Sequence, residues 1–180
     1  MEITKTQIEG LLILTPRVFE DDRGYFYESF NKEVFVDSGI TAEFVQTNVS
    51  MSCKDVIRGL HFQKPPFAQG KLVRVLRGAV LDVAVDLRKD SSTYGQHHIE
   101  EISEYNKKAF WVPPGFAHGF RTLEDNTLFH YNCTAGYNKE SEGSILWNDK
   151  DLAIDFGLES PLLSEKDEVG TLFAEFNSPF

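Results

Sequence analysis

The most informative segment of the chain, residues 46–77, reads QTNVSMSCKDVIRGLHFQKPPFAQGKLVRVLR. No carboxylate occurs between Asp55 and Asp82, although the protein as a whole is acidic. The basic side chains in this gap are Arg58, His61, Lys64, Lys71, Arg74 and Arg77. The apolar residues at 72–76 indicate a buried strand, and cations on a buried strand need partners. The segment therefore predicts a site for a phosphorylated small molecule, with a solvated basic sheet edge as the alternative.

Composition limits the classes of protein to which the chain can belong. Its 180 residues are 41% hydrophobic and include 15 Phe, which is enough for one domain, residues 1–180, with a substantial core. The 18 Lys and Arg against 28 Asp and Glu give a formal net charge of −10. We therefore expect no nucleic acid and no membrane among its partners, because binding either needs a broad basic face.

The N-terminus and the two cysteines bear on cellular location. The N-terminal residues do not form a leader with a basic start followed by an apolar run. No apolar stretch approaches the ~20 residues that span a membrane. Cys53 and Cys133 form no CxxC pair and are too few for a disulfide framework. We therefore expect a cytoplasmic protein with two reduced thiols in its core.

Short strand-like runs separated by turn residues occupy most of the chain. Strands are predicted at 10–19, 25–30, 43–51, 72–76, 80–87, 97–102, 108–112, 117–123 and 127–133. The one clear helix follows Asn31, a good N-cap residue, runs to Asp37 and stops at Gly39. The pattern predicts an all-β fold, a jelly-roll β-barrel or sandwich, with a C-terminal tail packed back on it at 147–149 and 162–164.

Two of the predicted strands have one polar face. At 43–51 one face carries Gln46, Asn48 and Ser50, and the other is largely apolar. At 80–87 one face carries Asp82 and Asp86. Polar faces of this kind line either solvent or a wet cavity, and in a jelly roll we expect them to line the interior.

The motif PPGFAH at 113–118 fits PxGxxH, the second signature of the cupin superfamily. The first cupin signature needs HxH followed by Glu, whereas this chain has His61, Phe62 and Gln63. A metal centre of two or three histidines cannot be assembled from these positions. We therefore predict a cupin-type fold that holds no metal.

Two further side chains suit proton transfer. His61 lies in the middle of the basic segment, and an imidazole can accept a proton near neutral pH, although a lone histidine is more often structural. Tyr131 is predicted to share a strand face with Phe129 and Cys133, which is typical of an ordinary core aromatic. Near a cationic pocket its phenol can instead donate a proton to a carbanion or an enolate.

Several motifs in a fixed order carry a closer resemblance. They are DDRGYFYESF at 21–30, QTNVS at 46–50, RGLHFQ at 58–63, QGKLVRVLRG at 69–78, DVAVDLR at 82–88, PPGFAHGF at 113–120 and WND at 147–149. Over nearly its whole length the chain resembles the dTDP-4-dehydrorhamnose 3,5-epimerases. The resemblance implies an isomerase without metal or other cofactor that inverts carbons 3 and 5 of dTDP-4-dehydro-6-deoxy-D-glucose, in dTDP-L-rhamnose biosynthesis.

The resemblance also implies roles for individual residues in the reaction. His61 matches the histidine that removes the proton, and Asp167 matches the carboxylate that orients it. Tyr131 matches the acid that returns a proton on the opposite face. Lys71 and Arg58 match the cations that stabilise the enolate oxygen and hold the substrate, where preorganised charge is most effective.

Further positions are expected to bind the nucleotide. Arg23 and Lys166 match contacts to the diphosphate region, and Tyr137 matches the aromatic residue that stacks on thymine. Phe26 is expected to join that stack. The remaining matched positions are Glu28, Gln46, Thr47, Asn48, His118 and Glu142. The family also implies a homodimer in which N-terminal strands exchange and help to line the partner's site.

One geometric condition follows from the spacing of Arg58 and His61. Residues of opposite parity point to opposite faces of a regular strand, so both can reach one pocket only if the strand is irregular between them. Gly59 is the expected position of a bulge.

Two alternatives remain open. The first is a related enzyme that inverts only carbon 3 or carbon 5, or that isomerises the ketone. The second is a non-catalytic cupin that binds a sugar nucleotide. A candidate base, acid and enolate-stabilising cation in one chain favour an enzyme, because binding alone would not need all three.

Overall fold

The computed structural model describes all 180 residues, and most of its regular structure is antiparallel β-sheet. The thirteen strands are β1 (Glu2–Lys5), β2 (Leu12–Thr15), β3 (Val18–Asp21), β4 (Gly24–Tyr27), β5 (Gln46–Ser52), β6 (Ile57–Gln63), β7 (Lys71–Arg77), β8 (Ala79–Asp86), β9 (His97–Ser103), β10 (Ala109–Val112), β11 (Phe116–Thr122), β12 (Thr127–Cys133) and β13 (Glu142–Ser144). The helical elements are α1 (Lys32–Asp37) and two 3₁₀ turns at Asp167–Val169 and Phe173–Glu175. The prediction of an all-β fold with a few short helices is confirmed.

The strands form two large sheets and a separate hairpin. The six-stranded sheet has the order β1-β2-β10-β7-β12-β5, and the five-stranded sheet has the order β13-β6-β11-β8-β9. The hairpin pairs β3 with β4. Strands distant in sequence are neighbours in both sheets, as in a jelly roll, so residues from all parts of the chain meet between the sheets.

Two predicted strand boundaries are wrong. The strand expected at 10–19 is divided into β2 and β3 by Pro16, which has no N–H to donate to a sheet ladder. The strand expected at 25–30 ends at Tyr27, before the α1 cap. The cap itself is as predicted: Asn31 Oδ1 accepts hydrogen bonds from the backbone N–H groups of Glu33 (3.1 Å) and Val34 (3.3 Å).

Three apolar clusters hold the layers together. The space between the sheets is filled by a cluster that includes Val73, Phe110 and Phe129. The outer face of the five-stranded sheet is covered by the C-terminal tail, whose Trp147 and Leu163 pack there, as predicted from their segments. The remaining cluster packs α1 on part of the six-stranded sheet.

The polar faces of β5 and β8 point to the interior, as predicted. Gln46, Asn48 and Ser50 are half-buried and line a cavity, while Val49 and Met51 on the other face of β5 are 60% and 63% exposed. Asp82 is fully buried. The alternation of side chains along a strand is thus sufficient to separate a wet interior from the outer surface.

Two predictions of burial are wrong. Leu76 is 46% exposed, because its neighbour Val75 points inward and α1 does not cover this end of β7. Cys53 is exposed just beyond the end of β5, whereas Cys133 is buried as expected. In both cases the apolar residue lies where no second layer covers the sheet.

Asp86, at the end of β8, provides a test of stability. This fully buried carboxylate accepts hydrogen bonds from Arg88 Nε (2.8 Å), Ser91 Oγ (2.7 Å) and Thr93 Oγ1 (2.7 Å). Burial alone would raise the pKa of Asp86, but these bonds outweigh burial and lower the pKa below its ordinary value of 3.8. The ionised Asp86 therefore stabilises the fold fully above pH 3.8, and this stabilisation is lost as the pH falls through the lowered pKa.

We expect Asp86→Asn to reduce the free energy of unfolding at pH 7 by about 2 to 3 kcal/mol, because charge-assisted hydrogen bonds are lost. The difference from the unsubstituted protein should shrink as the pH falls below 3.8. Urea unfolding at pH 7 and at successive acidic pH values measures this dependence. An equal loss at every pH would contradict the assigned role of the carboxylate.

Candidate active site

A polar cavity with two lobes lies between the sheets. The wide lobe has a volume of about 440 Å³ and the narrow lobe about 260 Å³. Both lobes are lined by His61, Lys71, Tyr131 and Lys166. Of the other predicted site residues, the wide lobe adds Gln46, Asn48, Tyr137 and Glu142, and the narrow lobe adds Arg58, His118 and Asp167. The structure therefore brings eleven of the predicted residues to one cavity.

His61 and Asp167 form a hydrogen-bonded pair although they are 106 positions apart in sequence. His61 lies on β6, and a 3₁₀ turn of the tail brings Asp167 Oδ1 to 2.6 Å from His61 Nε2. Asp167 also accepts hydrogen bonds from the Gly59 N–H (3.3 Å) and from Ser164 Oγ (2.7 Å).

The charge state of Asp167 follows from these contacts. Burial alone would raise the pKa of Asp167, but the bonds from His61, Ser164 and Gly59 outweigh it and lower the pKa. An ionised carboxylate only accepts hydrogen bonds, so Nε2 of His61 donates and Nδ1 is left to accept a proton.

The irregularity expected at Gly59 is present. The pairing of β6 with β11 matches His61 to His118 but Arg58 to Phe120, so the register shifts between these two pairs. A Cβ atom at residue 59 would lie 2.5 Å from Gly119 Cα, so the close approach of the two strands requires glycine. Because of this shift, Arg58 and His61 line the same lobe, as the spacing argument required.

Tyr131 lies on β12, in the sheet that faces the one carrying His61. Its ring packs at 5.9 Å from the ring of Phe129, on the strand face predicted from the sequence. Burial raises the pKa of Tyr131, with smaller contributions from Cys133 and Glu142 in the same direction, while Arg58 opposes them. The phenol is therefore protonated at neutral pH and can donate a proton into the cavity.

Lys71, the first residue of β7, lines both lobes. Its ammonium group forms no salt bridge in the chain. Burial lowers the pKa of Lys71, and the nearby Cys133, Asp82 and Glu142 partly restore it. An unpaired cation in a partly closed cavity is suited to stabilise an oxyanion.

Tyr137, Glu142 and Lys166 form a cluster in the wide lobe. Glu142 Oε2 accepts a hydrogen bond from the Tyr137 hydroxyl at 3.1 Å, and Glu142 Oε1 pairs with the Lys166 ammonium. The Tyr137 side chain is 58% exposed, and its backbone N–H donates to Gln46 Oε1 at 2.9 Å. An aromatic ring beside a lysine can stack on a base while the lysine binds a phosphate.

Four predicted site residues lie outside the cavity. Arg23 pairs with Asp21 in the β3–β4 hairpin, and Phe26 in the same hairpin is 69% exposed. Glu28 accepts a hydrogen bond from Asn31 Nδ2 at 3.2 Å. Thr47 lies on the outer face of β5, opposite to Gln46 and Asn48, because successive side chains of a strand alternate. Within one chain these four residues do not join the others.

The structure adds residues that were not selected from the sequence. The wide lobe also includes Phe62, Gln63 and Gln69, and the narrow lobe also includes Ser50, Phe120, Phe129 and Ser164. Ser50 could have been found, because it shares the polar face of β5 with Gln46 and Asn48. Ser164 carried no local signal, since its contact with Asp167 depends on how the tail packs.

No three His, Cys, Asp or Glu side chains lie close enough together to hold a metal ion. His118 of the PxGxxH motif bonds instead through Nε2 to Asp82 Oδ1 at 2.8 Å. In addition, none of the helices is both long enough and apolar enough to span a membrane.

Comparison with known proteins decides the family. The model of the family described as dTDP-4-dehydrorhamnose 3,5-epimerase matches residues 5–175. The chain belongs to this family. A dTDP-4-dehydrorhamnose 3,5-epimerase from Shigella flexneri is 49% identical over 176 residues, which cover 97% of each chain.

Solved structures agree with this assignment. A dTDP-6-deoxy-D-glucose-3,5-epimerase from Legionella pneumophila, in complex with dTDP-4-keto-L-rhamnose, is 48% identical with a TM-score of 0.94 and covers 98% of this chain and 94% of its own. A more distant neighbour is a 3'-monoepimerase from Streptomyces bikiniensis in complex with dTDP-quinovose. It is 32% identical with a TM-score of 0.88 and covers 94% of this chain and 86% of its own.

Proposed function

We propose that this epimerase inverts carbons 3 and 5 of dTDP-4-dehydro-6-deoxy-D-glucose and so produces dTDP-4-dehydro-L-rhamnose for dTDP-L-rhamnose biosynthesis. The observation that carries the proposal is the His61–Asp167 pair, which shares a cavity with Tyr131 and Lys71. The identity of 48% to an epimerase solved with dTDP-4-keto-L-rhamnose supports this choice of substrate.

The proposed reaction uses proton transfers alone and needs no cofactor. The 4-keto group acidifies the C–H bonds at carbons 3 and 5. His61 Nδ1 accepts the proton, and the electron pair of the broken C–H bond moves into an enolate whose oxygen is stabilised by Lys71 and Arg58. Tyr131 then donates its phenolic proton to the same carbon from the opposite face, which inverts the centre.

Residues of the wide lobe are proposed to bind the nucleotide. Lys166 would contact the diphosphate and Tyr137 would stack on thymine. The other proposed contacts are Gln46, Asn48 and Glu142 in this lobe, His118 in the narrow lobe, and Thr47 on the outer face of β5. We place the enzyme in the cytoplasm, where its two cysteines, which form no disulfide in the chain, remain reduced.

A homodimer would explain the residues that lie outside the cavity. Arg23, Phe26 and Glu28, on and beside an exposed hairpin, are proposed to complete the site of the partner subunit. The exposed apolar face of β5, which includes Val49 and Met51, supports an interface on this side of the molecule.

Sedimentation analysis should therefore give twice the chain mass of 20.5 kDa. Replacing Met51 with Lys should shift the protein toward monomer, because a charge would be buried in an apolar interface. Leu162→Lys, which adds the same charge at an exposed residue of the C-terminal tail, is a control for an added lysine. A monomeric unsubstituted protein with full activity would contradict the proposed dimer.

Proton exchange from solvent tests the proposed function directly. The substrate dTDP-4-dehydro-6-deoxyglucose is incubated with the protein in deuterated water, and the NMR signals at carbons 3 and 5 are followed. Loss of both signals is expected. Loss of only one would indicate a single-position epimerase, and loss of neither would indicate a binding protein or a different substrate.

Tyr131→Phe should separate the two proton transfers. His61 can still remove the proton, but the opposite face has lost its donor. We expect deuterium to enter while inversion slows by about 10²-fold or more. The ratio of exchange to inversion, measured by NMR, checks this. Equal losses of exchange and inversion would show that Tyr131 is not the acid.

A further inference from the structure

Asp82 on β8 is a buried carboxyl group that the proposed reaction leaves unused. Its side chain is fully buried, and Oδ1 shares a hydrogen bond with His118 Nε2 at 2.8 Å. The other oxygen, Oδ2, is also buried and has no hydrogen-bond partner in the chain. An unpaired buried carboxylate oxygen is costly, so its presence calls for a physical reason.

The position of Asp82 provides that reason. His118, which Asp82 holds, lines the narrow lobe together with Lys71 and Tyr131. Lys71 belongs to the six-stranded sheet and Asp82 to the five-stranded sheet that faces it. Burial raises the pKa of Asp82, whereas the nearby His118 and Lys71 act to lower it, and no salt bridge joins Asp82 to Lys71. Asp82, through its contact with His118, and the unpaired Lys71 therefore lie on facing sheets beside the same lobe.

We propose that Asp82 is a positioning residue, which fixes His118 in the cavity wall and provides the counter-charge that keeps Lys71 cationic. The consequence for catalysis rests on the proposed function, because a cation is needed only where an enolate oxygen develops. A neutral amine at residue 71 would stabilise that oxygen far less than an ammonium ion.

The other groups around Lys71 cannot take this role. Glu142 is engaged by Tyr137 and Lys166, and Asp167 is engaged by His61. The remaining titratable or charged groups that line the two lobes or act on Lys71 are Arg58, His61, His118, Tyr131, Tyr137, Cys133 and Lys166. Burial raises the pKa of the Cys133 thiol, which is therefore neutral at pH 7. Asp82 is thus the carboxyl group near Lys71 that keeps one oxygen without a hydrogen-bond partner.

An NMR titration without substrate tests the counter-charge. The protein is labelled with ¹³C-lysine, the Lys71 signal is assigned from its absence in Lys71→Arg, and its titration is followed in the unsubstituted protein and in Asp82→Asn. Loss of a close opposite charge should lower the Lys71 midpoint by about one pH unit or more. An unchanged midpoint in Asp82→Asn would overturn the proposal.

Glu100→Gln is the matched control. Glu100 is paired in register with Asp82 on the neighbouring strand β9 and bonds to Lys108 at 2.5 Å, and it is not among the charges that shift the pKa of Lys71. Its Lys71 midpoint should stay close to that of the unsubstituted protein. A shift as large as that of Asp82→Asn would overturn the specific role of Asp82.

A measurement on the unsubstituted protein covers the case in which Asp82→Asn does not fold. The ¹³C shift of the Asp82 carboxyl carbon should report an ionised group at pH 7, and a protonated group would overturn the proposal. Both titrations are independent of turnover, so their outcome is separate from that of the proposed epimerisation. In the active enzyme, Asp82→Asn should move the alkaline limb of kcat to lower pH and leave KM nearly unchanged.

Discussion

Replacing His61 with Asn is expected to lower kcat for both exchange and inversion by about 10²- to 10⁴-fold, the usual contribution of a general base. The amide has no basic nitrogen, so it cannot accept the proton even if it keeps the bond to Asp167. The dTDP affinity should change little, because Tyr137 and Lys166, the proposed contacts to thymine and diphosphate, are held by Glu142 and not by His61.

The measurement combines exchange of the sugar protons in deuterated water with calorimetric titration of dTDP. His97→Asn is the control, because His97 pairs with Val85, which belongs to the apolar cluster on the other face of the five-stranded sheet. That variant should turn over at the normal rate. If His61→Asn retains activity within tenfold of the unsubstituted enzyme, another group is the base.

Replacing Lys71 with Met is expected to lower kcat by about 10²- to 10³-fold, as for removal of one preorganised oxyanion-stabilising group. Methionine keeps most of the apolar stem and removes the charge, so the lobes keep their shape. The charge on the oxygen develops mainly in the transition state, and the loss should therefore appear in kcat more than in KM.

Lys64→Met is the matched control, since Lys64 is an exposed lysine directly after β6. Steady-state kinetics over a pH series measures both variants. Burial lowers the pKa of Lys71, so activity of the unsubstituted enzyme should decline on the alkaline side as this lysine loses its proton. A Lys71→Met enzyme with raised KM and normal kcat would make Lys71 a substrate-binding residue only.

The regular part of the fold was predictable because it depends on local patterns. Alternation over two residues gave the polar face of β5, and Asn31 marked the start of α1. The errors at 10–19 and 25–30 concern where a strand ends. They arose because each segment was taken as one continuous strand. The break at Pro16 and the end of β4 were therefore not recognised.

The site was predictable only in part from residues alone. The basic segment indicated an anion site, and Gly59 was correctly expected to break the register of β6. The pairing of His61 with Asp167 was implied by the family resemblance, since no local pattern links residues 106 positions apart. Asp82 was assigned to an interior face, but its bond to His118 was not foreseen.

The sequence by itself determined the all-β class, the interior polar faces and the family, because side-chain alternation and ordered motifs are properties of the chain. Tertiary structure decided which of these residues meet. Docking of the tail places Asp167 on His61, and the facing of the two sheets places Lys71 and His118 beside the same lobe. Such contacts depend on the packing of distant segments, and local sequence does not encode the distance between them.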